Sequence, residues 1–126
     1  MAYVRDVMRR DAILIREKDN VQKISKLLTE YKISNAPVVN AANELLGIVS
    51  EKDIIKAMKE DDFSKFTARD IMTKGVVTVK ENDPLEYVVK IFIDKPYRKL
   101  PVLDGKKVIA IINRENIIEN FMNNYY

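Results

Sequence analysis

The sequence predicts a mixed α/β protein in which one β-α-β-β-α unit occurs twice. The strongest indication is an internal repeat, since residues 4–8 (VRDVM) return as residues 68–72 (ARDIM), 64 positions later. A repeat of this kind is one supersecondary unit whose apolar face is covered by its neighbour. We therefore expect repeat 1 over residues 1–60, a polar linker over 61–67 and repeat 2 over 68–126, with the repeats sharing one core. Further matches at this spacing are Glu17/Glu81, Asp19/Asp83, Lys26/Lys90, Pro37/Pro101 and Val38/Val102, and Ile48/Ile111, Ile54/Ile117 and Ile55/Ile118 follow at 63.

Each copy opens with a short apolar run, at 12–15 and 76–79, that predicts a strand. A helix follows, because Asp19 and Asp83 stand where a carboxylate can accept backbone N–H groups, with Pro84 in the first turn and Glu86 completing a capping box. Apolar residues then recur at helical spacing and should face the core. They are Val21, Ile24, Leu27 and Leu28 in repeat 1, and Leu85, Val88, Val89 and Phe92 in repeat 2.

The second half of each copy predicts a hairpin and a closing helix. Its strands should cover 36–39 with 45–50, and 100–103 with 108–112, the latter pair joined by an Asp104-Gly105 turn. The closing helices should cover 51–59 and 114 to about 123. Their inward residues are predicted to be Ile54, Ile55 and Met58 in repeat 1, and Ile117, Ile118 and Phe121 in repeat 2.

Composition narrows the class of protein. The chain has 126 residues, of which 47% are hydrophobic, and no apolar run long enough for a membrane span, so we expect a cytoplasmic protein without a membrane partner. It contains neither cysteine nor histidine, which removes thiol catalysis, disulfides and the commonest general base. Asp61-Asp62 is most simply a solvated linker, so no metal site and no catalytic residue is predicted. A net charge of +3, with both signs interleaved, argues against nucleic acid as a partner.

These motifs resemble a tandem pair of cystathionine-β-synthase (CBS) domains, a Bateman module. The resemblance rests on the leaders at 6–8 and 70–72, the Pro-Val pairs at 37–38 and 101–102, and the stretch GIVSEKD at 47–53, and it covers nearly the entire chain. It implies a stand-alone, pseudo-two-fold pair of repeats packed through their sheets. It also implies two clefts, which bind adenine nucleotides or S-adenosylmethionine in many relatives, and a flat homodimer joined through helices.

Three residues of repeat 1 suit one of those clefts. Gly47 leaves room for a ligand to approach the backbone, Ser50 offers a hydroxyl at a helix N-terminus, and Asp53 offers acceptor oxygens to a ribose diol. In the family, the Gly-x-x-Ser/Thr-x-x-Asp pattern has this role, and its Asp holds the ribose hydroxyls.

The same Ser-x-x-Asp pattern is also an ordinary capping box. Repeat 2 helps to separate the two interpretations, because it keeps a capping residue at Asn113 but has Ala110 and Asn116 where repeat 1 has Gly47 and Asp53. Helix initiation alone therefore does not require Asp53. We predict ribose binding in the repeat 1 site and a degraded second site.

Basic residues in repeat 2 complete the predicted binding set. Arg98 and Lys99 occupy positions where relatives often carry basic residues that meet the phosphates, while repeat 1 has Ser34 and Asn35 there. Arg and Lys make strong charge-assisted contacts to phosphate, although two solvated surface cations are an equally simple interpretation. Since the resemblance implies clefts lined from both copies, Asp53, Arg98 and Ser34 could serve one ligand.

The sequence thus predicts a regulatory module that binds AMP, ADP, ATP or S-adenosylmethionine, requires no cofactor, and acts on a dimer or on a regulated enzyme, transporter or other protein. Such a ligand shifts the module only by its differential affinity for one arrangement. The alternative is a scaffold or dimerisation module whose clefts no longer bind. A hydrolase is a distant third, because Ser50 has no histidine to activate it.

Overall fold

Each half of the molecule is built on a three-stranded sheet. The computed structural model describes residues 2–125, which divide into two compact units. Unit 1 combines Met1–Ala12 with Val77–Tyr126, and unit 2 comprises Ile13–Val76. The mixed α/β class predicted from the sequence is confirmed.

Unit 2 carries the repeat 1 hairpin. In its sheet, β2 lies between the other two strands, parallel to β1 and antiparallel to β3. The core side of the sheet is covered by α1 and α2, which bury Ile24 and Ile54. The elements are β1 (Ile15–Arg16), α1 (Val21–Glu30), β2 (Asn35–Val39), β3 (Leu45–Ser50), α2 (Glu51–Ala57) and α3 (Ala68–Ile71).

Unit 1 repeats this topology. Its middle strand, β5, is parallel to β4 and antiparallel to β6, and Gly105 adopts a φ of +61° in the turn of the hairpin. The core contains Val88 of α4 and Leu100 of β5, both almost fully buried. The elements are β4 (Val79–Lys80), α4 (Leu85–Asp94), β5 (Lys99–Asp104), β6 (Lys107–Asn113) and α5 (Arg114–Tyr125), preceded by a 3-10 turn at Val4–Asp6.

The segments that contain the two leaders, residues 4–9 and 68–73 and called leaders from here on, are exchanged between the repeats. Val4 of the first leader is fully buried in the core of unit 1, with repeat 2, whereas Ala68 of the second leader is fully buried in the core of unit 2, with repeat 1. Each leader also pairs with the hairpin of its unit. Arg9 exchanges backbone hydrogen bonds of 2.8 and 2.9 Å with Ile111, and Thr73 does the same with Ile48. The compact units therefore follow different boundaries from the sequence repeats.

The opening strands and helix caps differ from the prediction. Only the last residue of each predicted opening strand, Ile15 and Val79, is paired, together with the residue after it. Asp19 and Asp83 accept the backbone N–H groups of Arg16 and Lys80, the last residues of β1 and β4, at 2.9 and 2.8 Å, and not N–H groups of the helices. The N-cap of α1 is Asn20, whose side chain accepts from the Lys23 N–H. At α4 the N-cap is Pro84, which makes no side-chain cap bond.

The prediction of inward residues on the closing helices was also partly wrong. Ile54 is buried as predicted, but Ile55 of α2 is 65% exposed and Met58, the residue that caps the end of α2, is 55% exposed. On α5, Ile117 packs against the core while Ile118 and Phe121 are more than half exposed. Each closing helix therefore presents apolar side chains on its outer face.

No helix in the described part of the chain has the length and apolar character needed to cross a bilayer. Within residues 2–125, no group of three or more acidic side chains is arranged to hold a metal ion.

Candidate functional site

The candidate site lies at the start of α2, where the chain turns from β3 into the helix. Ser50 is the N-cap residue in extended conformation, and its hydroxyl accepts a hydrogen bond from the Asp53 N–H at 3.2 Å. Asp53 reciprocates, since its Oδ2 accepts from the Ser50 N–H at 2.9 Å and from the Ser50 hydroxyl at 3.0 Å. Ser50 and Asp53 therefore form the capping box that the sequence offered as the plain interpretation.

The second carboxylate oxygen of Asp53 points to the exchanged leader. Its Oδ1 accepts a hydrogen bond from the Thr73 hydroxyl at 3.1 Å, and Thr73 is exposed. Each oxygen of a carboxylate can accept about two hydrogen bonds. Oδ2 already accepts two within residues 2–125 and Oδ1 accepts one, so Oδ1 retains capacity for a further donor.

Thr73 was not predicted from the sequence as a site residue. It lies 20 positions after Asp53, in the leader of the other repeat, and it reaches the carboxylate only because that leader pairs with β3. The one available signal was the repeat itself, which matches Thr73 to Arg9 at the spacing of 64 residues. That match gave no indication of which unit receives the leader.

Gly47 has a packing role that the sequence did not reveal. A Cβ placed on Gly47 would lie 2.7 Å from the Thr73 carbonyl oxygen and 2.9 Å from the Met72 sulfur. The space beside Gly47 is therefore filled by the leader of unit 2, which needs a residue without a side chain there. Contact between Gly47 and a ligand stays a prediction.

In unit 1, the equivalent helix, α5, is capped by uncharged side chains. Asn113 and Asn116 exchange the same pair of capping bonds, with the Asn113 N–H donating to Asn116 Oδ1 at 3.0 Å and the Asn116 N–H donating to Asn113 Oδ1 at 2.8 Å. Asn116 is buried, and Ala110 occupies the position of Gly47. An amide at this position is thus sufficient to start the helix, so capping does not account for the carboxylate of Asp53.

Within unit 1, the predicted basic residues lie beside this helix start. Arg98 is exposed and its carbonyl oxygen accepts the Arg114 N–H at 3.2 Å, while Lys99 begins β5 opposite Asn113. Burial lowers the pKa of the Lys99 amine from its ordinary 10.5 to about 8. The backbones of both residues therefore lie beside the N-terminus of α5, and contact of their side chains with a phosphate stays a prediction.

Ser34 holds the corresponding place in unit 2. It is exposed, and its carbonyl oxygen accepts the Glu51 N–H at 2.9 Å, as Arg98 does for Arg114. Within unit 2 the structure therefore brings together Ser34, Ser50, Asp53 and Thr73 at one helix start. A cavity of about 520 Å³ in the same unit lies at the other end of the β2–β3 hairpin, beside Val39 and Asn40, and includes none of them.

Comparison with known sequences identifies the family. The profile of the CBS domain matches residues 4–60 and 68–123, which together make up most of the chain. The chain belongs to the CBS domain family. It carries two CBS domains in tandem, as the motifs predicted.

Curated relatives contain this CBS pair within longer proteins. An uncharacterised protein of Methanopyrus kandleri is 33% identical over 119 residues, and a homoserine O-acetyltransferase of Methanohalobium evestigatum is 33% identical over 125 residues. The matches cover 92% and 94% of this chain but only 61% and 24% of those proteins. The enzyme names of such relatives therefore describe chains of which the CBS pair is a minor part.

Solved structures agree on the fold. The structure of CBSX2 in complex with AMP superposes with a TM-score of 0.90 at 23% identity, each chain being covered completely. The CBS pair of protein MJ0100, in complex with 5'-methylthioadenosine and S-adenosylmethionine, has a TM-score of 0.80 at 26% identity, with 98% of each chain covered. Both neighbours are CBS pairs that carry adenosyl ligands.

Proposed function

We propose that this CBS pair is a regulatory module that binds an adenosyl ligand (AMP, ADP, ATP or S-adenosylmethionine) through the site around Asp53. The observation that supports this proposal is the difference between the starts of α2 and α5. Both are capped by the same pair of bonds, yet only unit 2 has a carboxylate, with acceptor capacity left on Oδ1. One hydroxyl of a ribose diol can donate to Oδ1, and a carboxylate accepts such a donor more strongly than an amide oxygen does.

The ligands named for similar structures support this class. AMP, 5'-methylthioadenosine and S-adenosylmethionine, which occur with CBSX2 and MJ0100, share adenine and ribose and differ beyond them. Contact with the ribose at Asp53 suits all of these ligands. Arg98 and Lys99 would favour those that carry phosphate.

We assign the chain no catalytic role. The chain lacks histidine and cysteine. The Ser50 hydroxyl donates a hydrogen bond to the Asp53 carboxylate in the capping box of α2. A homodimer, a regulated protein partner and a cytoplasmic location belong to the same proposal.

Replacing Asp53 with Asn separates ligand binding from helix capping. Asn116 shows that an amide can accept the capping N–H, so Asp53→Asn should leave the unfolding temperature of the free protein almost unchanged. It should weaken the response to ligand about tenfold or more, because a charge-assisted bond is worth about 1.5–3 kcal/mol. We would measure thermal unfolding and calorimetric binding with AMP, ADP, ATP, S-adenosylmethionine and adenosine. Ligand at about 100 times its dissociation constant adds about 2.7 kcal/mol to stability.

Asn116→Ala is the matched control, because it removes a capping side chain from the same helix position of unit 1 and should keep the ligand response. A ligand response that Asp53→Asn leaves intact would refute the diol contact. The alternative function is a scaffold with empty clefts, and it is favoured by the capping bonds that Asp53 already makes. Failure of all five compounds to stabilise the wild type would select it.

A further inference from the structure

The cavity of about 520 Å³ in unit 2 lies at the carboxyl ends of two parallel strands. Arg16, the last residue of β1, is paired with Val39, the last residue of β2, and both line the cavity. In α/β sheets, ligands commonly bind outside the carboxyl ends of parallel strands. The site around Asp53 lies at the opposite end of the β2–β3 hairpin, so the cavity is a separate place in the same unit.

The wall of the cavity offers hydrogen-bond donors that have no acceptor among residues 2–125. Arg16 uses only Nη1 of its guanidinium, which donates to the Asn40 carbonyl oxygen at 3.3 Å and to Asn43 Oδ1 at 2.6 Å. These two bonds hold the side chain against the hairpin. Its Nε and Nη2 make no bond within the described residues, and neither do the Lys18 ammonium or the backbone N–H groups of Lys18 and Ala41.

The side-chain acceptors of the cavity, in contrast, are already engaged. Glu17 lines the cavity but pairs with Arg69 at 3.8 Å, and Asn40 Oδ1 accepts two backbone N–H groups of the hairpin, at 3.0 and 2.9 Å. Arg16 and Lys18 are exposed, and neither pairs with a carboxylate within residues 2–125. Two uncompensated cations beside free N–H groups are complementary to an anion.

The equivalent end of unit 1 has different chemistry. At the repeat spacing of 64, Asn82 replaces Lys18 and Asp104 replaces Asn40, and each replacement makes that end more negative, although Lys80 keeps one cation. The turn of the unit 1 hairpin is also shorter by one residue. The second cation and the longer turn are therefore features of repeat 1 and are not required by the fold.

We propose that this cavity binds a small organic anion, with its carboxylate or phosphate group on Arg16 and Lys18 and a short apolar body against Val39, Ala41 and Ala42. Its volume of about 520 Å³ is more than an inorganic ion fills and lies within the range of about 300–1,000 Å³ of small-molecule sites. Val39 is fully buried, and the two alanines add exposed apolar surface to the wall. The site is additional to the proposed adenosyl site and does not depend on it.

Amide signals of the isotope-labelled full chain, recorded by NMR, would locate the binding. Hexanoate and hexyl phosphate, titrated at millimolar concentration, should shift the amides of residues 16–18 and 40–42 in a saturable way. Hexanamide lacks the charge and inorganic phosphate lacks the apolar body, so both should bind about tenfold or more weakly. Saturable binding of either acid supports the proposal, and the tighter acid identifies the preferred head group.

Charge reversal at Lys18 tests the cation. Lys18→Glu should raise the dissociation constants of both acids about fivefold or more, because an attraction becomes a repulsion. Lys56→Glu is the matched control, since it makes the same charge change at an exposed lysine of α2 outside the cavity and should alter them less than about twofold. Circular dichroism would check that both variants are folded.

Three results would overturn the proposal. The first is that neither acid shifts the amides of residues 16–18 and 40–42. The second is that hexanamide binds as tightly as hexanoate, which would make the cavity an apolar pocket without anion recognition. The third is that Lys18→Glu and Lys56→Glu weaken binding equally, which would mean that the net charge of the chain attracts the acids.

Discussion

Lys99 is the predicted phosphate contact whose ionisation the structure changes most. Its amine lies partly buried at the start of β5, and burial lowers its pKa to about 8. The unfolded chain, with a pKa near the ordinary 10.5, therefore binds more protons than the folded chain between about pH 8 and 10.5. The contribution of Lys99 to stability consequently rises with pH across that window.

The lowered pKa also predicts how phosphate binding depends on pH. Because Lys99 loses its charge as pH rises through about 8, the affinity for AMP should fall above that pH, while AMP itself stays dianionic. Calorimetric titrations from about pH 7 to about pH 10 would measure this, with adenosine as the ligand lacking phosphate and Lys99→Gln as the control. An AMP affinity that is constant over this range, or that falls equally for adenosine, would contradict a phosphate role for Lys99.

At the scale of elements, the pairing of β3 with the second leader depends on Gly47, which leaves space for the leader backbone. Gly47→Ala should lower the free energy of unfolding by about 1–3 kcal/mol, since the added methyl group would press on the Thr73 carbonyl oxygen at 2.7 Å. Chemical denaturation would measure the loss. The double variant Gly47→Ala with Met72→Ala should not recover it, because the backbone contact remains. Recovery would mean that only the Met72 side chain is crowded.

The elements also show what could be predicted from the sequence. Hairpins and long helices were predicted to within a few residues because turn residues and apolar spacing are local signals. The opening strands proved shorter for a reason visible only in the sheet. The N–H and C=O of Ile48 bond to Thr73, so Ile48 makes no ladder bonds to Pro37, the residue opposite it in β2. The backbone of Pro37 therefore faces β1, where proline has no N–H to donate.

The rest of the site was not predictable because its contacts are distant along the chain. Asp53 was recognised from its motif and from its contrast with Asn116, but the Thr73 hydroxyl on its Oδ1 depends on the leader exchange. The outward isoleucines, Ile55 and Ile118, were assigned to the core because periodicity marks an apolar face without saying whether that face is covered by the same chain.

At the scale of the molecule, the exchange predicts how damage in one leader spreads. Val4→Ala should weaken unit 1 by about 2 kcal/mol, since Val4 is fully buried there. Amide hydrogen exchange would then accelerate in β6 much more than in β3. Ala68→Gly should weaken unit 2 instead, so that amide exchange accelerates in β3 much more than in β6. Equal acceleration in both sheets after Val4→Ala would mean that Val4 does not stabilise unit 1 selectively. Acceleration confined to β3 would mean that the first leader stabilises its own repeat, as the sequence boundaries predict.

The exchange of leaders also sets the response of the chain to mechanical force. Residues 2–12 and 77–125, the two ends of the described chain, belong to unit 1, and unit 2 is inserted between them. A pull applied at residues 2 and 125 therefore acts on unit 1, where the backbone hydrogen bonds between Arg9 and Ile111 hold the N-terminal segment on β6. In an optical trap, such nesting gives an ordered pair of extensions, with the unit that holds Asp53 opening second.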